Sequence, residues 1–79
     1  MSNLKQKFKR WWKGIDKIIK LEQGDDNLIA VIFLNRYMSH YSVGVYKYTD
    51  GEFHMIKVTK STKSKAIALN KFRKIVREF

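Results

Sequence analysis

The stretch from His40 to Val58 leaves a folding chain few choices, because two alternating segments meet at Asp50-Gly51. Asp-Gly favours the left-handed backbone of a two-residue type I′ turn, whose twist matches that of paired strands. Such a turn sets the register: Tyr48 faces Phe53, Tyr46 faces Met55 and Val45 faces Ile56. Strand side chains alternate, so Val43, Val45, Ile56 and Val58 share one face. Tyr46, Tyr48, Phe53 and Met55 share the other, with Lys57 at its edge.

Leu28 to Leu34 is apolar at every position and reads as a further strand, preceded by the turn-forming run Gly24-Asp25-Asp26-Asn27. Leu4, Phe8, Trp11, Trp12, Ile15, Ile18 and Ile19 recur at helical spacing, so the pattern predicts a helix over residues 4–22, capped by Ser2 or Asn3. Gly14 interrupts it at a cost of ~1 kcal/mol relative to alanine. At the other end Ala68, Leu69, Phe72, Ile75, Val76 and Phe79 fall on one face of a helix over residues 62–78, capped by Thr62 or by Ser61. The expected fold is α+β in the order α-β-β-β-α, one domain spanning residues 1–79. Its three-stranded antiparallel sheet (residues 28–34, 40–48 and 52–59) carries both helices on one face. No layer is then left for Tyr46, Tyr48, Phe53 and Met55, which are expected to form an interface joining two copies or docking a protein, or to stack unpaired bases.

Charge narrows the function. Seventeen Lys and Arg stand against seven Asp and Glu, a formal net charge of +10. Residues 1–23 carry +5, residues 24–56 carry −2 and residues 57–79 carry +7. With 44% hydrophobic residues the chain has material for a core, so it reads as a folded domain that meets a polyanion. Lys60, Thr62, Ser64 and the lysines at 63 and 65 surround the start of the second helix, where unpaired N–H groups favour phosphate. Lys71, Lys74 and Arg77 continue along that helix, and Lys9, Arg10, Lys13 and Lys17 line the first one. These twelve residues are the expected RNA contacts.

Several classes fall away. No cysteine is present, which removes disulfides and thiolate metal sites and agrees with a reducing cytoplasm. Two well-separated histidines give no metal site, and no cofactor motif occurs. The longest apolar run, Leu28–Leu34, is far short of the ~20 residues a membrane span needs. The basic, tryptophan-bearing N-terminal helix could instead lie on an anionic membrane surface, which remains an alternative use of its apolar stripe.

"HYSVGVYKYTDGEF" and "STKSKAIALNKF" together resemble the second strand, turn and Ser-Lys-Lys-x-Ala-Lys helix start of double-stranded RNA-binding domains. The resemblance covers residues 40–72 and implies a cap at Thr62, a phosphate-contacting lysine at Lys63 and a buried alanine at Ala66. Ser64 stands where a second lysine would be, and Lys65 can replace it. The family's Gly-Pro-x-His loop is absent, with Asn35 to His40 in its place. What this implies is general RNA binding by a non-enzyme, without selective readout of a duplex.

In size and charge the chain is also similar to the TifA-type inhibitors of T-even phages. That resemblance implies a toxin endoribonuclease as protein partner, gripped together with RNA in the cytoplasm of a bacterial host. Ser39-His40-Tyr41 resembles the strand-start histidine of HicA-type toxin ribonucleases, which implies the rival reading, an endoribonuclease with His40 as general base.

Overall fold

The computed structural model describes residues 3–78. Helix α1 (Leu4–Trp11) leads into strands β1 (Lys17–Gln23), β2 (Leu28–Asn35), β3 (His40–Thr49) and β4 (Glu52–Val58), and helix α2 (Lys65–Arg77) ends the chain. The strands form one antiparallel meander in the order β1-β2-β3-β4.

The α+β class and the three expected strands, seen as β2, β3 and β4, match the expectation; the number of strands and the placing of the helices do not. The reason lies in β2. Ile29, Ala30, Val31, Ile32 and Phe33 are all buried, so both faces of this strand need a cover and both edges need a neighbour. Residues 17–23 supply the second neighbour as a strand rather than the end of a helix, with Leu21 opposite Val31 and Lys17 opposite Leu34. The register slips between Ile18 and Lys20, and the consecutive isoleucines Ile18 and Ile19 pack into different cores.

The helices sit on opposite faces. On one side Leu4 and Phe8 of α1 pack with Leu21, Ile29, Val31, Phe33, Tyr46 and Phe53. On the other Ala68, Phe72 and Ile75 of α2 pack with Ala30, Ile32, Val43 and Val45. Tyr46 and Phe53 are therefore core residues and Tyr48 is half-buried; of the expected aromatic face only Met55 stays in solvent. Lys7 Nζ lies 5.0 Å from the Tyr48 ring centre and helps cover it.

The Asp50-Gly51 turn forms as its residue types demand, with both φ angles positive. Tyr48 faces Phe53 and Tyr46 faces Met55 as expected, but Val45 pairs with Lys57 because a bulge intervenes at Ile56. Val43 and Val45 are buried, whereas Ile56 and Val58 are exposed on the edge strand.

Helix α1 starts where Asn3 Oδ1 accepts from the N–H groups of Lys5 and Gln6. It ends at Trp12, whose backbone turns extended and whose indole N–H donates to the Asp16 carbonyl at 3.1 Å. That folds the indole against Gly14, where an added Cβ would collide with the ring. Gly14 thus marks the exit from the helix.

Three outcomes follow from this packing. Within a helix, Gly14→Ala would stabilise by ~1 kcal/mol; here the Trp12 ring must shift, and chemical denaturation should show a loss of about 1–3 kcal/mol. Phe8→Ala empties the centre of one core and should cost about 3–5 kcal/mol by the same measurement. Burial first, and Asp16 second, hold the Tyr46 hydroxyl proton above its ordinary pKa of 10.0. The folded state keeps that proton where the unfolded chain has begun to lose it, so the contribution is complete below pH ~10 and is lost as pH rises further. Melting curves of the parent should therefore fall relative to Tyr46→Phe above that pH.

Candidate nucleic-acid interface

Three segments distant in sequence meet at one end of the sheet. The β2–β3 turn lies between them: Lys17 pairs with Leu34 on the β1 side, and Thr62 forms a bridge to Tyr41 on the other. That bridge holds residues 60–65 in place through Tyr41 N–H to Thr62 O at 2.6 Å and Thr62 N–H to Tyr41 O at 2.8 Å. Segments 13–17, 35–40 and 60–65 bring Lys13, Lys17, Arg36, Lys60, Lys63 and Lys65 to this end, all exposed, with Asp16 as their one acid. The opposite end holds Asp25 and Asp26 in the β1–β2 turn, Asp50 in the β3–β4 turn and Glu52 at the start of β4, with Lys47 beside them on β3.

The cap of α2 differs from the expected one. Ser64 is the N-cap, its hydroxyl accepting from Ile67 N–H at 3.3 Å, while Thr62 Oγ1 accepts from Ser64 N–H at 3.2 Å. Two hydroxyls in series fix the loop rather than one. Lys63 and Lys65 consequently flank the cap, and the first turn of α2 contains no acidic residue. Ala66 is exposed and Ala68 is the buried alanine, two residues beyond where the family resemblance places it. The apolar face expected of this helix is otherwise seen, Phe79 lying outside the described residues.

The remaining expected contacts divide between two faces. Lys71 and Lys74 line a groove between α2 and β4 with Lys57 and Thr59. Arg77 lines another between α2 and β1, together with Lys20, Glu22 and Arg73. Lys20 Nζ there lies 5.7 Å from the Phe72 ring centre. Lys9 and Arg10 are on α1, across the sheet, and do not join the α2 cations on one surface. The expected placing of both helices, and so of all these cations, on one face of the sheet is not seen.

Among the described residues Lys5 alone of the lysines and arginines has a carboxylate in ion-pair range, Glu22 at 3.9 Å. The positive charge is accordingly left for solvent and ligands. Burial of Tyr46 and Phe53 removes the aromatic face as a junction between copies or a base-stacking platform. Of the apolar stripe that could have met a membrane, Leu4 and Phe8 are buried against the sheet, while Trp11 and Ile15 stay exposed. No helix of the described residues is long and apolar enough to cross a membrane. His40 opens β3, half-buried and paired with Asn35.

Arg36, Tyr37 and Met38, at the tip of the β2–β3 turn, were not marked by any motif. Tyr37 is 82% exposed and Met38 63%. The signal for them was two large apolar residues inside a predicted loop. Comparison of the chain with known protein families, with curated proteins and with solved structures finds no match.

Proposed function

We propose that the protein binds RNA through the basic end of its sheet, by contacts to phosphate that are largely independent of sequence. The observation that carries this reading is the segregation of charge: six exposed cations bracket one turn while four of the seven acids lie at the other end. Exposed lysine and arginine recognise backbone charge, and no deep pocket is needed for it. The helix-start resemblance supports the same residues, Lys63 and Lys65, and adds RNA as the polyanion. Lys60 and Lys17 extend the surface to either side of the turn, and Lys71 and Lys74 continue it along the β4 side of α2, while Arg77 stands apart in the groove beside β1. Thr62 and Ser64 serve the loop backbone and orient their neighbours.

In this reading RNA is bound and left intact, and His40 is a surface residue of the binding end. The use that the phage-inhibitor resemblance suggests, an RNA-tethered grip on a toxin endoribonuclease, draws on this same surface.

Titration of a labelled RNA at several salt concentrations tests the proposal. With about 4–6 phosphates neutralised, log K should fall against log salt with a slope of roughly −3 to −5. Lys17, Lys63 and Lys65 changed together to Glu should abolish binding with the circular dichroism unchanged, while Lys9→Glu with Arg10→Glu should weaken it far less. Salt-insensitive affinity, equal loss from both sets, or cleavage of the RNA that disappears in His40→Ala would each refute the reading.

A further inference from the structure

We propose that Tyr37 and Met38 form a stacking site for an unpaired nucleobase, so that RNA held at the basic end is preferred where its bases are free. The inference rests on the RNA-binding reading and goes beyond it, since phosphate contacts alone carry no preference for unpaired bases.

Every other hairpin turn of the chain is polar: residues 24–27 are Gly-Asp-Asp-Asn and residues 50–51 are Asp-Gly. The β2–β3 turn instead places Tyr37 and Met38 in water. These side chains contribute little to the core, so the fold itself does not account for them. Their backbone is nevertheless held firmly. Asn35 Oδ1 accepts from the N–H groups of both Tyr37 and Met38 at 3.0 Å, and Ser39 N–H donates to the Asn35 carbonyl at 2.8 Å. Ser39 closes the turn in the left-handed region at φ 54°. A ring carried on a fixed backbone loses less freedom when it is covered, which favours binding.

The surroundings select the occupant. Arg36 precedes the ring in the chain, Lys17 lies beyond Leu34 on one side, and Lys60, Lys63 and Lys65 lie beyond Tyr41 on the other. A ligand that covers Tyr37 while satisfying these cations combines a flat apolar group with repeated negative charge, which describes a nucleotide chain. Every base has a π-face, so stacking on tyrosine tolerates any sequence, as the phosphate contacts do. Methionine adapts to whatever lies beside it. Bases inside a duplex are already stacked, and freeing one costs a few kcal/mol. Single strands, loops and bulges therefore gain from the tip and a regular duplex does not.

The test compares three 12-nucleotide probes at fixed salt: a single strand of mixed sequence, the same strand with its central bases removed, and a duplex. The parent should bind the intact single strand most tightly. Tyr37→Ser with Met38→Ser should weaken that complex roughly 5- to 100-fold and leave the other two within about twofold, with the salt slope unchanged. Tyr37→Phe, which keeps the ring, should restore the preference, and melting curves establish that each variant is folded. Loss of affinity shared equally by all three probes, or none at all, overturns the stacking site while leaving phosphate binding intact. A parent that binds no probe at low salt refutes the underlying reading instead. Cosedimentation with anionic vesicles that is lost in the double variant, with RNA binding untouched, overturns the proposal in favour of membrane insertion of the tip.

Discussion

Phe8 is the residue on which the rest of the structure depends. It is fully buried, and five rings lie around it: Tyr46 at 5.0 Å, Phe53 at 5.1 Å edge-on, Trp11 at 5.6 Å, Trp12 at 6.1 Å and Phe33 at 6.3 Å. A helix of eight residues is too short to persist in water on its own. Helix α1 exists because Phe8 docks, and docking covers a sheet face that would otherwise expose Ile29, Val31 and Phe33. The consequence passes along the chain. Trp12 leaves the helix to lie on Phe33 at 4.6 Å, its N–H reaches Asp16, and the backbone is delivered to the open edge of β2 as β1.

This dependence explains what could and could not be read from the sequence. The β3–β4 hairpin was legible because Asp50-Gly51 fixes a local geometry and alternation does the rest. Helix α2 was legible because its apolar stripe has one period throughout. Residues 4–22 misled because an apolar pair in a bulged strand, Ile18-Ile19, mimics the i, i+1 step of a helical stripe. The contrary signal was present in β2. A strand apolar on both parities belongs in the middle of a sheet with layers on both sides, a condition that two helices on one face of a three-stranded sheet cannot meet. Gly14, noted as a mid-helix cost, was the second warning.

The candidate site was legible in composition and illegible in assembly. Lys60, Lys63 and Lys65 are neighbours in sequence, and a lysine-rich helix start marks them without any fold. That Lys17 and Arg36 stand beside them depends on β1 pairing with β2 and on the bridge between Tyr41 and Thr62, both long-range. Lys9 and Arg10 were grouped with the α2 cations by charge alone. Placing α1 on the far face separates them, because a sheet has two sides and the order of elements does not say which one a helix takes.

The same meander that collects the cations also disposes of the acids. A strand of ten residues spans roughly 33 Å, so Asp50 and Glu52 stand about that far from the β2–β3 turn. At physiological ionic strength the screening length is about 8 Å. Asp50 and Glu52 therefore neither neutralise Lys60, Lys63 and Lys65 nor repel an anion near them. Over longer distances, before contact, the separated charges give the molecule a dipole that turns its basic end toward a polyanion. An even +10 surface would attract RNA from every side and hold it in no fixed pose. Concentrating charge around a rigid turn sets Tyr37 and Met38 among the cations, and the stacking site proposed above rests on that juxtaposition, which comes from sheet topology rather than from any local motif.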